Sequence, residues 1–274
     1  MRYARDVSDL VFATGPVHLD EDGDDLRADL SGALSEHLGL SVEVRTSPTY
    51  ADLANAIERG EAHLAWLPPA LFVRAYDGGA VAQVLRTVRG VSGTYQGALF
   101  VSASGARKTP ASLRGTRVAW VDRDSCAGYL FPRLALRRAG FDPSALFADE
   151  LFVGSHAAGV RAVQTGKADV AATYVQLADA ADPRSELSLV GWVPYVDAEA
   201  MRSVLVSPSI PSDAVMITRA TPRGDEAKVL SGLEEAGQHP KVAPLLRALL
   251  GAESLALTEP SFYSSVREAM EGAR

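Results

Sequence analysis

Short hydrophobic runs alternate with helical patterns along the first quarter of the chain. Residues 10–14 form an apolar run, and the apolar positions in residues 26–38 recur at helical spacing. Residues 41–45 and 62–67 predict two further strands, and the helix between them is predicted to begin with Asp52 as its cap. Because parallel strands need crossover connections, this alternation predicts an α/β fold with mostly parallel sheets covered by helices.

A ten-residue segment occurs twice. Residues 56–65 (AIERGEAHLA) recur as residues 162–171 (AVQTGKADVA), with identical or similar apolar residues at a constant offset. Each copy predicts a helix end, a glycine in the left-handed conformation and a buried strand. Two copies of one unit imply two similar lobes. Since ligands of open α/β sheets bind beyond the carboxyl ends of strands, we expect the two strand tips to be halves of one cleft.

Loop-forming residues mark the boundaries of these lobes. A polar loop at residues 104–110 and a proline-rich strip at residues 207–211 each come before a new apolar strand. The first lobe is therefore predicted to comprise residues 1–103 plus 210–274, and the second residues 104–209. The two crossings between the lobes would form a two-stranded hinge.

Composition and charge narrow the classes of function. The 274 residues carry a formal net charge of −7 with scattered basic residues, which argues against a nucleic-acid surface or an anionic-membrane anchor. The single cysteine, Cys126, excludes an internal disulfide and a cysteine-rich zinc site, and no cofactor motif is found. Residues 1–25 lack the roughly 7–15 apolar residues of a signal peptide, and no run approaches the ~18 of a membrane span. We expect a monomer without a transmembrane segment, periplasmic or lipid-anchored if the chain was trimmed and otherwise cytoplasmic.

The run from residue 122 to 128 is the strongest candidate for chemistry. A buried strand ends in a polar loop there, and Ser125 stands where a helix running to Arg138 would begin. The first turn of a helix has unpaired N–H groups and the positive end of the helix dipole, so it can bind carboxylate or tetrahedral anions without a lysine. On spacing alone, an ordinary N-cap at Asp124 or Ser125 is the more common explanation of this pattern.

These residues resemble a known family. Residues 125–132 (SCAGYLFP), 139–143 (AGFDP) and 152–156 (FVGSH), followed by the second repeat copy, are similar to the phosphonate/phosphate-type periplasmic substrate-binding proteins of ABC importers. The resemblance extends to Tyr50, Tyr95 and the proline-rich strip, and covers most of the chain. It implies a type II periplasmic-binding fold whose two lobes close on a small oxyanion, such as phosphonate, phosphate or phosphite. It also implies a non-catalytic role with an ABC permease as partner.

The resemblance further implies a set of ligand-binding residues. The backbone N–H groups and hydroxyl of the helix turn would hold the anion, and side chains of both lobes would add contacts. The residues implied by the resemblance are Ser125, Cys126, Ala127, Gly128, Tyr50, Tyr95 and His156. The candidate set also includes Tyr129, which continues the turn, and Trp66 and Tyr174, which are placed in it by their positions at the strand tips. Trp66 and Tyr174, at the two strand tips, would make the site more aromatic than a bare phosphate requires, so we expect a small anionic or partly apolar ligand. No catalytic residue and no metal ligand belong to the set.

The turn departs from the family pattern in its hydroxyl content. Members typically carry hydroxyls at two or three positions of this turn, whereas here only Ser125 remains, Cys126 has a weak S–H donor and Ala127 has none. A lost hydrogen bond to a charged acceptor costs about 1.5–3 kcal/mol, so two losses could weaken a phosphonate by several orders of magnitude. Either the ligand is different, or Arg123 or a bound water compensates. Asp213 is the one acid that could meet an amino group, which favours a ligand without an amine.

Two other functions remain open on the sequence. The fold could serve as an enzyme with Cys126 or His156 as the reactive group, although no Ser/His/Asp order, metal triad or phosphate loop is found. It could also be an intracellular or receptor-linked ligand sensor, because the chain as given has no export signal. Some residues have plain structural explanations as well, since Trp66 and Trp120 lie in apolar runs typical of a core.

Overall fold

The chain divides into two compact units in a computed structural model. The structure describes residues 10–15, 23–89, 93–179, 182 and 185–273. Unit 1 comprises Met1–Gly93 with Ser212–Phe262, and unit 2 comprises Thr94–Pro211 with Tyr263–Arg274. Each unit contains one β-sheet with helices, so the predicted α/β class is confirmed.

Strands and helices alternate along the chain as the hydrophobic pattern predicts. The first part contains β1 (Leu10–Thr14), α1 (Gly23–Leu38), β2 (Val42–Thr46), α2 (Tyr50–Glu58), β3 (Leu64–Leu67), α3 (Pro69–Asp77), β4 (Val81–Val88) and β5 (Thr94–Ser102). The middle part contains β6 (Arg117–Trp120), α4 (Phe131–Arg138), α5 (Pro143–Leu146), β7 (Asp149–Phe152), α6 (His156–Gln164), β8 (Val170–Leu177), β9 (Leu187–Val190) and β10 (Met201–Pro211). The last part contains β11 (Ala214–Thr218), α7 (Glu226–Glu235), α8 (Val242–Leu250), β12 (Ser254–Leu257) and α9 (Ser264–Glu271).

The two sheets are built on the same plan. The strand order is β12-β4-β11-β3-β1-β2 in unit 1 and β10-β5-β8-β6-β7 in unit 2, where β9 also pairs with β8. Each sheet contains three adjacent parallel strands, β3-β1-β2 or β8-β6-β7. An antiparallel strand, β11 or β5, lies next to them. The sheets are mixed, because parallel pairing among the described residues is confined to these three-strand cores.

The internal repeat extends through both parallel cores. Gly60 and Gly166, which end the helix in each copy, have φ angles of 70° and 69°, as the left-handed conformation requires. The strand pairs keep one offset, since every position in unit 1 rises by 106 residues in unit 2. The pairs are Phe12–Leu64 with Val118–Val170, and Phe12–Val44 with Val118–Glu150.

The bounds of the units differ from those of the predicted lobes. β5 pairs with β8 and β10, so its residues lie in unit 2, whereas the loop pattern predicts them in the first lobe. The end of the chain also belongs to unit 2, where α9 contacts α4 and β10. The polar loop at residues 104–110 follows β5, which already belongs to the second sheet. The loop therefore lies inside unit 2.

Two further predictions were that the chain has no membrane-spanning segment and no export signal. Within the described residues, none of the helices combines the length and apolar character needed to cross a membrane. The export-signal prediction rests on residues 1–25, of which 1–9 and 16–22 lie outside the described residues.

Candidate ligand-binding site

A single π-helical turn follows β6 at the carboxyl edge of the unit 2 sheet. The turn, Cys126–Leu130, leads directly into α4. Ser125 is its N-cap, because the Ser125 hydroxyl oxygen accepts a hydrogen bond from the Gly128 N–H at 3.0 Å. The Leu130 N–H donates to the Ser125 carbonyl at 3.0 Å and closes the turn. The predicted cap is confirmed, and the Ser125 hydroxyl proton can still be donated to a ligand.

Two glycines allow the turn to lie close to its neighbours. A Cβ atom on Gly128 would clash with the Val121 side chain and lie 2.7 Å from Ser125 Oγ. A Cβ atom on Gly97 of β5 would lie 2.8 Å from the Ala127 carbonyl oxygen. Real Cβ atoms do not approach other atoms this closely, so any side chain at either position would displace the turn.

The side chains of the turn itself are buried. Cys126, Ala127 and Tyr129 are each 4% exposed. The Tyr129 ring packs edge-on against Trp120, with 5.5 Å between the ring centroids, and its face lies 5.1 Å from the Arg133 guanidinium carbon. Buried side chains offer little surface to a ligand, so the Ser125 hydroxyl is the side-chain group of this turn that is best placed to reach one.

A partly buried ion pair anchors the helix behind the turn. Arg133 of α4 is 6% exposed, and its Nη1 lies 3.1 Å from Glu150 Oε2 of β7. The same carboxylate oxygen accepts a 2.7 Å hydrogen bond from Trp120 Nε1. Trp120 is fully buried, which confirms its expected place in the core. Because Glu150 neutralises Arg133, the pair supports the turn mechanically and adds no net charge.

His156 begins α6 at the same edge of the sheet. The Ser155 hydroxyl oxygen caps α6 by accepting from the Ala158 N–H at 3.1 Å. The Gly154 N–H donates to the Val121 carbonyl at 2.9 Å, which ties the loop before α6 to the loop after β6. The starts of the π-helical turn and of α6 therefore lie side by side, as expected for segments that follow two parallel strands.

The His156 ring is held between two groups of β8. The backbone carbonyl of Ala172 faces the ring, and the Tyr174 ring meets it edge to face at 5.1 Å between centroids and an angle of 88°. Burial lowers the pKa of His156 to about 4, and the Ala172 carbonyl partly opposes this shift. His156 is therefore neutral at physiological pH. Its Nδ1 is buried, with no hydrogen-bond partner in the part of the chain that the structure describes.

Three of the predicted features come together in unit 2. Tyr174 pairs across the sheet with Gly97, which lies against the Ala127 backbone, and Tyr174 also contacts His156. The 125–128 segment, His156 and Tyr174 thus share one edge. Tyr95 lies in unit 2 as well, paired with Ile210 at the start of β5.

Tyr50 and Trp66 lie in unit 1. The Tyr50 ring covers the end of β1 so closely that a Cβ atom on Gly15 would overlap it. Thr49, and not Asp52, caps α2, because the Thr49 hydroxyl accepts from the Asp52 N–H at 3.1 Å and Asp52 falls within the first turn. Trp66 packs against the core of unit 1, and its buried Nε1 has no hydrogen-bond partner among the described residues.

The repeat makes Tyr50 and His156 equivalent, a relation that the sequence reasoning missed. Each is the first residue of its helix, α2 or α6, and the two are separated by the 106-residue offset of the strand pairs. Their caps, Thr49 and Ser155, correspond in the same way. Extending the visible ten-residue repeat six positions toward the N-terminus would have found this pair.

The charged residues considered for the ligand have defined contacts. Asp213 is paired with Arg89, at 2.5 Å between Oδ2 and Nη2, and is mostly buried. The Arg123 guanidinium carbon lies 4.6 Å from the centroid of the Phe152 ring, at the edge that carries the turn. Across the described ranges, no three His, Cys, Asp or Glu side chains are grouped to hold a metal ion.

Comparison with known proteins places this fold in a family. Residues 12–263 match the family described as "ABC transporter, phosphonate, periplasmic substrate-binding protein". The ATP-bound protein XAC2383 from Xanthomonas citri is 20% identical, with 97% of each chain covered and a TM-score of 0.75. A binding protein component of an ABC phosphonate transporter from Pseudomonas aeruginosa is 16% identical, with 96% of this chain and 86% of that chain covered and a TM-score of 0.74.

A third solved structure carries a phosphonate. PhnD1 from Prochlorococcus marinus in complex with methylphosphonate is 17% identical, with 96% of this chain and 97% of that chain covered and a TM-score of 0.73. At these identities the structures share the fold, and the predicted type II periplasmic-binding class is confirmed. Since the family match spans most of its length, the chain belongs to the family of phosphonate-type periplasmic substrate-binding proteins of ABC transporters.

Proposed function

We propose that the protein binds a small phosphonate-type oxyanion at the edge of unit 2 that carries residues 125–128, His156 and Tyr174, and presents it to an ABC permease. The observation that carries the proposal is the Ser125-capped turn at the carboxyl end of β6. The Ser125 hydroxyl keeps a proton that it can donate to a charged oxygen, and the start of the helix adds the positive end of its dipole.

Electrostatics favour backbone donors over side-chain charge. The chain has a net charge of −7, and the buried cation nearest in sequence to the turn, Arg133, is neutralised by Glu150. A helix N-terminus supplies about half a positive charge, whatever the net charge of the protein. Arg123, two residues before Ser125, is the exposed cation that could add to it and so compensate for the missing hydroxyls.

The ligand we propose has no amino group and a small apolar part. Asp213, the acid available for an ammonium ion, is already paired with Arg89. The Tyr174 ring offers an apolar face beside the donors. Methylphosphonate, the ligand of the Prochlorococcus marinus relative, has this chemistry and is the first compound to test. Tyr50, Tyr95 and Trp66 are proposed as further contacts to the same ligand.

Family membership gives no support to the two alternative functions, an enzyme and an intracellular or receptor-linked sensor. Members are solute-binding components of ABC importers and not enzymes, so a reactive role for Cys126 or His156 is not needed. Nor does a receptor-linked sensor follow from the family, whose members are periplasmic and work with a permease. We propose that this protein works with its permease as a monomer.

Isothermal titration calorimetry tests the proposal directly. The purified chain is titrated with methylphosphonate, phosphate, phosphite and acetate, and we expect saturable binding of at least one phosphorus oxyanion. The Ser125→Ala variant should weaken that binding about tenfold or more, because it loses a hydrogen bond to a charged oxygen worth about 1.5–3 kcal/mol. The control variant Ser231→Ala, on the exposed side of α7, should bind as the wild type does. No heat from any of the anions would contradict the proposal.

A further inference from the structure

We propose that an exposed apolar turn at residues 189–195 is a surface on which the permease docks, and that the permease meets it with an apolar face bordered by basic side chains. This inference rests on the proposed function, in which the protein presents its ligand to an ABC permease. The turn lies in unit 2, where it begins in β9 and ends before β10.

Three large apolar side chains are exposed within this short segment. Leu189, Val193 and Tyr195 are 48%, 51% and 49% exposed. Pro194, between the last two, is exposed as well. Single exposed apolar residues are common on protein surfaces, whereas several together are typical of a surface that another molecule covers.

The apolar turn is fixed by a hydrogen bond of its own and by a buried tryptophan. The Tyr195 N–H donates to the Trp192 carbonyl at 2.9 Å. The Trp192 side chain is buried, its ring centroid lies 5.3 Å from that of Phe100, and its Nε1 donates to the Ala198 carbonyl at 3.0 Å. The exposed side chains therefore stand on an ordered backbone, which reduces the conformational entropy lost when a partner binds.

Acidic residues, and no basic ones, flank the apolar turn. Residues 185–201 contain Glu186, Asp197 and Glu199 but neither lysine nor arginine. All three carboxylate residues are exposed, and none is ion-paired with another residue that the structure describes. Exposed negative charge of this kind complements basic side chains on a partner and repels acidic ones.

This charge distinguishes between the molecules that could cover the apolar turn. In a twofold dimer the same surface of a second copy would face it, so acids would meet acids. An anionic lipid surface would repel the same carboxylates. A permease surface with lysine or arginine around an apolar face satisfies both the flanking charge and the exposed side chains.

The apolar turn also contacts the candidate ligand-binding edge. The Gly191 N–H donates to the Tyr174 carbonyl at 2.9 Å, and a Cβ atom on Gly191 would lie 3.0 Å from Cε1 of the Tyr174 ring. Tyr174 in turn contacts His156. A permease docked on the apolar turn would therefore lie next to the edge from which it must receive the ligand.

Site-specific photocrosslinking identifies the occupant of the apolar turn. The photoreactive amino acid p-benzoylphenylalanine is placed at position 195 in cells that make the whole transporter, and the crosslinked product is identified by mass spectrometry. We expect a crosslink from this position to the permease subunit. The same probe in place of Tyr76, an exposed tyrosine near the end of α3 in unit 1, should give none. A crosslink from position 195 only to a second copy of the chain or to lipid, or no crosslink, would overturn the proposal.

Binding to the permease in nanodiscs of uncharged lipid measures what each group contributes. We expect the double variant Val193→Ser/Tyr195→Ser to bind the permease at least tenfold more weakly, because it loses the exposed apolar surface. Glu199→Lys should bind severalfold more weakly and depend less on salt. The controls Tyr76→Ser and Glu234→Lys, in unit 1, should bind as the wild type does. Circular dichroism confirms that each variant is folded.

The outcomes separate this surface from the function on which it rests. If no phosphorus oxyanion binds the wild type, the proposed ligand class is wrong, whereas a crosslink from position 195 to the permease would still support the surface. If methylphosphonate binds but the double variant docks as the wild type does, only the surface is wrong. If the double variant loses methylphosphonate binding, the apolar turn serves the ligand site, which also overturns the proposal.

Discussion

Gly128 shows how one missing side chain positions the candidate site. Its Cα lies where an added Cβ atom would clash with Val121 and crowd Ser125 Oγ. We expect Gly128→Ala to lower the free energy of unfolding by about 1–3 kcal/mol and to weaken oxyanion binding, because the turn must shift. Urea unfolding and calorimetry measure both effects.

Gly32 provides the matched control for this substitution. It lies in α1 with no atom within 4 Å of an added Cβ atom. Gly32→Ala should be neutral or stabilise the protein by up to about 1 kcal/mol, since alanine is the better helix former. Equal stability of the two variants would show that the turn tolerates a side chain at residue 128.

His156 makes the stability of the protein depend on pH. Its pKa is about 4 in the folded chain and close to 6.5 in the unfolded chain, so the unfolded state binds more protons between these values. Stability therefore falls as the pH drops from 6.5 toward 4, and this one group accounts for about 2 kcal/mol between pH 7 and pH 5. In urea unfolding, His156→Gln should show a smaller loss over this interval, and an unchanged loss would contradict the assignment.

Sequence reasoning at the residue scale succeeded where the interaction is local. Ser125 and the residue whose N–H it binds lie three positions apart, so a cap could be predicted from spacing. Asp52 was the wrong cap because Thr49, three residues earlier, offers an equally local hydroxyl and the sequence does not say which one the chain uses. The Ala172 carbonyl that faces His156 could not be foreseen, since the contact depends on how α6 packs on β8.

At the scale of elements, the Arg133–Glu150 pair holds α4 to β7. Removing the carboxylate leaves a nearly buried guanidinium without its counter-charge and Trp120 Nε1 without its acceptor. We expect Glu150→Ala to reduce the free energy of unfolding by about 2–3 kcal/mol, because each unsatisfied buried group costs about 1–3 kcal/mol and Glu150 is partly exposed. Chemical denaturation followed by tryptophan fluorescence measures the change.

An exposed ion pair serves as the control for this variant. Glu61 pairs with Arg59 at 2.7 Å on the surface, where both side chains are more than half exposed. Glu61→Ala should change stability little, because solvent screens exposed pairs. If Glu150→Ala were as mild as Glu61→Ala, the buried network would not stabilise the helix behind the turn.

Element type could be predicted from the hydrophobic period, whereas strand order could not. The apolar run of residues 10–14 and the helical spacing that follows it reappear as β1 and α1. The neighbours of β5 are β8 and β10, which begin more than 70 residues later in the chain. Which strands become neighbours depends on contacts between distant parts of the chain, and this leaves no local pattern in the sequence. The sheets therefore contain more antiparallel pairs than the alternation of strands and helices predicted.

For the whole molecule, the internal repeat was a better guide to the two units than the positions of loop-forming residues. The ten-residue match gave the correct correspondence between the units, and the strand pairs extend it without a change of offset. Proline and glycine positions marked loops but could not tell which sheet the strands beside them join. Tyr50 in unit 1 and His156 in unit 2 obey the same correspondence, because each is the first residue of an equivalent helix.

The end of the chain provides a test of this topology. α9 follows a segment of unit 1, yet its buried Val266 and Ala269 and the 2.7 Å pair between Glu268 and Arg138 belong to unit 2. We expect truncation after Phe262 to accelerate amide hydrogen exchange in α4 and β10, because these elements lose their contacts with α9. Exchange in α1 and α8 of unit 1 should stay as in the full chain.

A shorter truncation separates loss of the helix from loss of the chain end. Removal of the residues after Glu271 leaves all of α9 and should alter exchange in neither unit. If truncation after Phe262 instead accelerated exchange in α1 and α8, α9 would stabilise unit 1, and the assignment of the terminal residues would be wrong. If it acts on α4, the loss should also weaken oxyanion binding, because α4 continues directly from the turn that Ser125 caps.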